Sequence, residues 1–123
     1  MRELCLALIL VGSIGTGLWG QDQGPQDPYY WIEHMREGGA EARKEAREAL
    51  IALGPAAVPT LIEATRDEND WIRWEAVNAL GSIAFQDPEP VVQAIPALVE
   101  RALTDINPHP RWRSLWALAT FPD

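Results

Sequence analysis

Two stretches of the sequence carry nearly the same residues, and this internal repetition constrains the fold more than any other feature. AVPTLIEATRD covers residues 57–67 and AIPALVERALTD covers residues 94–105. In both, the third residue is Pro, Leu and Glu follow, and the last residue is Asp. Repetition over this distance is typical of two-helix units. Because one helix pair cannot bury its apolar face alone, the sequence predicts a stack of such pairs.

The repeat can be followed along the chain from Arg43, Arg73 and Arg111, which are 30 and 38 residues apart. Each arginine is followed by a small residue after three positions, by Ala after six and by Leu after seven, a pattern that lets helices approach closely. An acidic residue precedes each arginine by six positions. In each unit the acidic residue and the arginine lie where the chain enters the second helix, so we expect them to connect adjacent units. The predicted stacking residues are Glu37, Arg43, Asp67, Arg73, Asp105 and Arg111.

Apolar residues recur at helical spacing over residues 28–121, and no segment alternates in the manner of a strand. Asp27 and Pro28 form a helix start, and glycines and prolines separate the later segments. The predicted helices are Pro28–Glu37, Glu41–Leu53, Ala56–Arg66, Trp71–Ala84, Val91–Leu103 and Arg111–Thr120, and we expect the fifth to kink or to start properly near Pro96. The sequence therefore predicts an all-α fold, a short α-solenoid (superhelix) of about three antiparallel helix pairs. These pairs cover residues 28–53, 56–84 and 91–121.

The first twenty residues differ from the rest of the chain. Arg2 precedes a mostly apolar run over residues 4–18, and small residues lie near its end, a pattern typical of a signal peptide. The run is short for a transmembrane helix, and an uncleaved N-terminal anchor is the alternative. We expect residues 1–20 to be a signal peptide, residues 21–27 to be a linker, and the protein to be exported (periplasmic or secreted). Cys5, the only cysteine, would leave with the signal peptide.

The chain is acidic, with a formal net charge of −8 at pH 7. An acidic surface argues against nucleic acid and anionic membranes as partners. The segment Asp67–Asp70 lacks the ligand spacing and the glycine of a calcium loop, and neither His34 nor His109 has a second ligand at metal spacing. No Gly-rich phosphate loop or nucleophile motif is present. We therefore expect no cofactor, no metal site and no catalytic residues.

The stretches 57–83 and 94–121 resemble HEAT repeats, in particular the shorter HEAT-like units first associated with phycobilin lyases. The resemblance extends back to about Glu37. It implies an α-solenoid whose second helices line a concave surface, and it is more specific for the fold than for the function. Two features depart from the family's pattern. Trp74 and Trp112 occupy a position that is usually polar, and the 38-residue step implies an irregular loop.

Five tryptophans lie outside the first twenty residues, and Trp74 and Trp112 are equivalent in the repeat. An aromatic stripe formed by such residues could bind a peptide or a sugar. The alternative is packing between repeats, because Trp is a large apolar side chain that keeps one polar atom in contact with water. The candidate partner-binding residues are Trp71, Trp74, Trp112 and Trp116.

These features favour an exported, non-catalytic scaffold that binds a protein partner. One alternative is that the chain is the N-terminal part of a larger secreted solenoid or multidomain protein, since the last helix ends at TFPD without a polar capping helix. That alternative predicts an exposed apolar C-terminal end, through which further repeats or a second copy would dock. A bilin-lyase-like enzyme, which the resemblance also implies, is least favoured, because the mature chain lacks a thiol and an acid–base pair.

Overall fold

The computed structural model describes residues 25–122, and this part of the chain is helical without strands. Its α-helices are α1 (Pro28–Glu37), α2 (Ala40–Leu53), α3 (Val58–Ala64), α4 (Asp70–Gln86), α5 (Ile95–Thr104) and α6 (Pro108–Leu118). Of these helices, none combines the length and the apolar character needed to cross a membrane. The signal peptide predicted for residues 1–20, and residues 21–24 of the predicted linker, lie outside the described residues.

The helices form three pairs, α1–α2, α3–α4 and α5–α6, and α4 packs against both α2 and α6. Of the 17 residues of α4, 11 are buried, because this helix has neighbours on both sides. The core includes Leu50, Leu61, Leu80 and Leu98, one from each of four helices, all without exposed surface. A fully buried leucine contributes about 1.5–3 kcal/mol relative to an exposed one. The predicted short α-solenoid is therefore confirmed. We call the contact between the first two pairs the first junction and that between the last two the second junction.

The second helix of each later pair begins at an asparagine cap. Asn69 Oδ1 accepts a hydrogen bond from Trp71 N at 2.8 Å, and Asn107 Oδ1 accepts one from His109 N at 2.9 Å. The acid two residues earlier accepts a hydrogen bond from the backbone N–H of each asparagine. A side-chain cap satisfies amide groups that have no partner within the helix. The sequence pattern Asp-x-Asn therefore fixes where α4 and α6 start.

The α3 helix starts at Val58, later than the predicted Ala56, and α5 starts at Ile95, where a start or kink near Pro96 was predicted. Short 3₁₀ turns at Gly54–Ala57 and Glu89–Ala94 precede α3 and α5. Pro59 and Pro96 are the second residues of these helices and have no N–H to donate to the residue four positions earlier. Regular α-helical bonding can therefore begin only at this point. In contrast, α6 begins three residues before the predicted Arg111, because Asn107 caps it and Pro108 fits the first helical position.

Candidate functional site

A buried ion pair joins α4 to the segment after α5 across the second junction. Arg73 Nε donates to Asp105 Oδ2 at 2.8 Å and Arg73 Nη2 donates to Oδ1 at 3.0 Å. Both side chains are buried, and Arg101 Nη1 adds a third hydrogen bond to Asp105 at 3.3 Å. A bidentate arginine–carboxylate pair is among the strongest charged contacts in proteins. Two of the predicted stacking residues are thus in direct contact between neighbouring pairs.

The arginine anchors also bind the turn that precedes their own helix. Arg73 Nη1 donates to the backbone carbonyl oxygen of Asp67 at 2.9 Å. Arg111 Nη1 donates to the equivalent carbonyl oxygen, that of Asp105, at 2.7 Å. This shared contact holds the entry turn of α4 and of α6 in the same geometry. The repeat seen in the sequence therefore corresponds to a repeated local structure.

The first junction uses different partners. Asp67 accepts hydrogen bonds from Arg36 of α1, with Nη1–Oδ1 and Nη2–Oδ2 distances of 3.1 and 2.6 Å. Arg43, the anchor of the first unit, lies instead over the ring of Trp71, 4.1 Å from its centroid. This is a cation–π contact between α2 and α4. Glu37 is exposed and, within residues 25–122, its side chain makes no hydrogen bond or ion pair.

A row of polar contacts runs across α2, α4 and α6. Arg47 Nη1 donates to Glu75 Oε1 at 2.7 Å, and the Glu75 side chain is 2% exposed. Arg113 Nε donates to Asn78 Oδ1 at 2.8 Å, and the guanidinium of Arg113 lies over the ring of Trp116. Buried polar groups are costly unless they find such partners. The row therefore fixes the lateral alignment of the three second helices.

Three carboxylates at the junctions have shifted pKa values: those of Asp67 and Asp105 are lowered, and that of Glu75 is raised. The hydrogen bonds from Arg36 lower the pKa of Asp67. Burial alone would raise the pKa of Asp105, but the hydrogen bonds from Arg73 and the Asn107 N–H outweigh it, and this pKa is also lowered. Burial raises the pKa of Glu75, because the contact with Arg47 compensates only in part. Because the pKa values of Asp67 and Asp105 are lowered, these two groups stabilise the fold at pH values above their unfolded pKa of about 3.9. This stabilisation is lost as the pH falls through their folded pKa values.

The raised pKa of Glu75 makes its contribution to stability depend on pH in the opposite direction, and this can be tested separately. Its folded pKa lies above the unfolded value of about 4.3, so its contribution is most favourable below that value and is lost as the pH rises through the folded pKa. Glu75→Gln removes this titration and keeps an oxygen for Arg47. We expect the free energy of unfolding of the variant, relative to wild type, to increase from pH 4 to pH 7 in urea titrations. A relative free energy that falls over this range would contradict the raised pKa.

Two aromatic side chains, those of Trp71 and Trp74, line a groove between the starts of α4 and α6. We call this the tryptophan groove; it has a volume of about 120 Å³. Its lining residues are Asp70, Trp71, Trp74, Asn107, His109 and Pro110. The rings of Trp71 and Trp74 stand perpendicular to each other, with centroids 6.2 Å apart. Trp112, one turn after His109 on α6, is 72% exposed. The groove thus offers apolar aromatic surface to solvent beside three polar side chains.

The other tryptophans have packing roles. Trp116 is 37% exposed and packs on Gly81 of α4, where a Cβ atom would overlap its Cζ3. Trp31 is buried, and its Nε1 donates to the carbonyl oxygen of Pro25 at 2.9 Å. Of the four candidate partner-binding residues, the structure therefore brings Trp71 and Trp74 together at the groove, whereas Trp112 is exposed and does not line it. Trp116 belongs to the contact between α4 and α6.

The remaining polar candidates have structural partners. In the segment Asp67–Asp70, the two outer acids are bound by arginines and Asn69 caps α4. His34 lies 2.9 Å from Glu45 through Nε2 and stacks on Tyr30. Among the described residues, no group of three His, Cys, Asp or Glu side chains is placed to hold a metal ion.

Sequence reasoning did not identify the polar edge of the groove. Asp70 accepts a hydrogen bond from Asn107 Nδ2 at 2.9 Å across the second junction, and His109 and Pro110 complete the wall. One signal was available, because His109 follows Trp71 by the same 38 residues that separate Trp112 from Trp74. Extending the repeat alignment to the position two residues before the arginine anchor would have found His109.

The stacked helix pairs, the junction arginines and the asparagine-capped second helices together define an α-solenoid of short helical repeats. The family model for HEAT repeats matches residues 30–119, and the chain belongs to this family. HEAT repeats generally mediate protein–protein interactions and are typically non-catalytic scaffolds. No curated protein matches the chain.

Proposed function

We propose that the protein is a non-catalytic scaffold that binds a protein partner through the tryptophan groove. The observation that carries this proposal is the aromatic surface at the second junction, formed by the paired rings of Trp71 and Trp74. Tryptophan is enriched among the residues that dominate binding energy at protein interfaces. The groove is smaller than the roughly 300–1,000 Å³ of a small-molecule site, and it fits one apolar side chain of a partner.

The charge of the chain indicates the kind of partner. A net charge of −8 raises the local concentration of basic segments and increases their rate of association. Asp70 at the edge of the groove is 48% exposed at its side chain, although it also accepts hydrogen bonds from Arg73 and Asn107. We therefore propose an occupant with an apolar side chain for the groove and basic residues around it.

Export is part of the same proposal. It is supported by the apolar run over residues 4–18 after Arg2, with small residues near its end. The partner is then sought among exported proteins, and residues 21–123 are the form to use as bait.

The groove is tested by capture of partners from the exported protein fraction. We compare wild type with the Trp71→Ala/Trp74→Ala double variant, and we expect the double variant to bind the captured partner at least about tenfold more weakly. Phe85→Ala, which removes an aromatic side chain that is 77% exposed near the end of α4, away from the groove, is the matched control and should bind as wild type does. Circular dichroism confirms that each variant remains helical.

The reverse pattern would contradict the groove. Equal binding by wild type and the tryptophan variant, with loss of binding by Phe85→Ala, would assign these tryptophans to packing and the binding to another face. Titration of the identified partner against each purified variant, followed by intrinsic fluorescence, gives the affinities that decide between these results.

A further inference from the structure

The tryptophan groove offers hydrogen-bond donors that no protein group uses. Among residues 25–122, Trp31 is the one tryptophan whose indole N–H donates to a protein oxygen. Trp74 is half-buried and its Nε1 is not a buried atom without a partner, so this N–H is in contact with solvent. The indole can donate but cannot accept. An occupant that covers Trp71 and Trp74 therefore binds best when it supplies an acceptor, because a covered N–H without a partner costs free energy.

Most side-chain acceptors at the groove are already engaged. Asp70 Oδ1 accepts from Arg73 Nη2, and Asp70 Oδ2 accepts from Asn107 Nδ2 at 2.9 Å. Asn107 Oδ1 accepts from the backbone N–H of His109. An occupant with several backbone N–H groups facing the groove would leave some of them unpaired. The exposed side of Asp70 can still accept from a cationic side chain, since the hydrogen bonds from Asn107 and Arg73 lower the pKa of this carboxyl group and keep it charged.

A proline-rich segment meets both requirements. Proline has no N–H, and the polyproline II conformation leaves every backbone carbonyl oxygen free to accept a hydrogen bond. The perpendicular rings of Trp71 and Trp74, with centroids 6.2 Å apart, form an apolar corner. The compact pyrrolidine ring suits the groove volume of about 120 Å³. Because such segments are extended before they bind, they lose little conformational entropy when they dock on aromatic surfaces.

The other common forms of a bound segment suit this groove less well. Addition of a strand needs an exposed sheet edge, and residues 25–122 contain no strand. An amphipathic helix needs a groove that receives side chains from several of its turns, whereas this groove takes one side chain. The carbonyl oxygens of a helix are also engaged within the helix, so they would not satisfy the indole N–H groups. An extended segment without N–H groups is therefore the favoured occupant.

We propose that the segment which binds the tryptophan groove is a proline-rich polyproline II segment with an arginine or lysine beside it. A proline ring packs against Trp71 and Trp74, a backbone carbonyl oxygen accepts from Trp74 Nε1, and the basic side chain pairs with Asp70. Charge complementarity supports this occupant, since Glu68 in the same turn is exposed and the net charge of the chain is −8. The inference rests on the proposed function and names the chemistry of its partner.

The probe is a synthetic peptide of six prolines with one arginine at each end. Titrated into the protein, it should bind saturably below about 1 mM, as followed by intrinsic fluorescence. In ¹⁵N–¹H spectra the indole N–H resonance of Trp74 should move downfield as the new hydrogen bond forms. A matched peptide with two leucines in place of the central prolines keeps apolar side chains and adds two backbone N–H groups. We expect it to bind at least about fivefold more weakly.

Three variants locate the peptide on the protein. The Trp71→Ala/Trp74→Ala variant should show no saturable binding. Trp74→Phe keeps an aromatic ring but removes the N–H, so we expect binding about threefold to tenfold weaker, the range of one neutral hydrogen bond. Trp112→Ala is the matched control, because it removes an exposed tryptophan that does not line the groove, and it should bind as wild type does. Trp74→Phe that binds as tightly as wild type would overturn the hydrogen bond to Nε1.

The role of Asp70 is tested with a second pair of peptides. Asp70→Asn should weaken binding of the arginine-flanked peptide at least about threefold. The same variant should not change the affinity for a peptide whose flanking residues are glutamine, because the lost charge then has no counterpart. Equal weakening for both peptides would mean that the substitution disturbs the groove through Arg73 and Asn107, and it would overturn the pairing with Asp70.

The peptide result and the capture result can fail separately. Equal affinities for the proline and leucine peptides, or no binding of either at about 1 mM, would overturn the proline-rich occupant. A captured partner that requires Trp71 and Trp74 but has no proline-rich segment would also overturn it, while the scaffold proposal would stand. A captured partner whose proline-rich segment alone shifts the Trp74 indole resonance would support both.

Discussion

Asp105→Ala is expected to lower the free energy of unfolding by about 3–5 kcal/mol, because it leaves the buried guanidinium of Arg73 without its carboxylate. Asp105 also accepts a hydrogen bond from Asn107 N at 2.9 Å, so the entry turn of α6 is weakened at the same time. Urea unfolding followed by circular dichroism measures the effect. The loss should be similar at low and high salt, since ions screen a buried pair far less than an exposed one.

Glu100→Ala is the matched control for this change. Glu100 lies on α5, five residues before Asp105 in the sequence. Its exposed side chain pairs with Arg66 and with Arg101, each at 3.3 Å. Exposed pairs contribute at most about 1 kcal/mol. A loss below about 1 kcal/mol for Asp105→Ala would show that apolar packing alone holds the second junction. The double change Arg73→Met/Asp105→Leu should cost less than Asp105→Ala, because it leaves no unpaired charge.

Gly81→Ala is expected to destabilise the protein by about 2 kcal/mol, although alanine favours a helix over glycine by about 1 kcal/mol. The new Cβ would overlap Trp116 Cζ3 and would lie 2.9 Å from Cε3 and 3.0 Å from the Cβ of Ala117. The Trp116 ring would have to leave its place between Gly81 and Arg113. Thermal unfolding and a shift of the tryptophan emission maximum to longer wavelength measure this change.

Trp116, the side chain that the new Cβ would overlap, provides the control for Gly81→Ala. In a Trp116→Ala background the overlap with the ring is gone, and only the contact with Ala117 opposes the helix preference of alanine. Gly81→Ala should then be neutral or slightly stabilising. If Gly81→Ala destabilised both backgrounds equally, glycine would be required by the close approach of the α4 and α6 backbones and not by the Trp116 ring.

The sequence pattern predicted the helix pairs and their order because it depends on local rules. Apolar spacing, the Asp27 cap and Pro28 all act within a few residues of where they stand. The start of α3 was predicted too early because Pro59 was expected to be tolerated within the first turn, whereas the start or kink predicted near Pro96 agrees with the observed start of α5. The missing N–H groups of Pro59 and Pro96 shift the start of α-helical bonding to Val58 and Ile95.

The junction contacts were predicted only where they follow the repeat. Arg73 and Asp105 hold repeat positions, and the alignment pointed to them. Arg36 precedes its anchor by seven positions and reaches Asp67 only because of how α1 lies across α3. Contacts that depend on the angle between helix pairs cannot be read from the period of the repeat.

The tryptophans show the same limit. Trp74 and Trp112 have equivalent positions, yet Trp74 is half-buried and Trp112 is 72% exposed. Their difference comes from the neighbouring pair, since α6 covers part of Trp74. Equivalent residues in a stack therefore acquire different roles from their place in it.

The two junctions will respond differently to ionic strength. The Arg36–Asp67 pair at the first junction has side chains that are 38% and 17% exposed, whereas those of Arg73 and Asp105 at the second are 8% and 0% exposed. At 1 M salt the Debye length falls to about 3 Å, so the first pair is weakened while the second is largely unaffected. The tryptophan groove is built on the second junction. Added salt should therefore slow the approach of a basic partner without altering the shape of the surface that receives it.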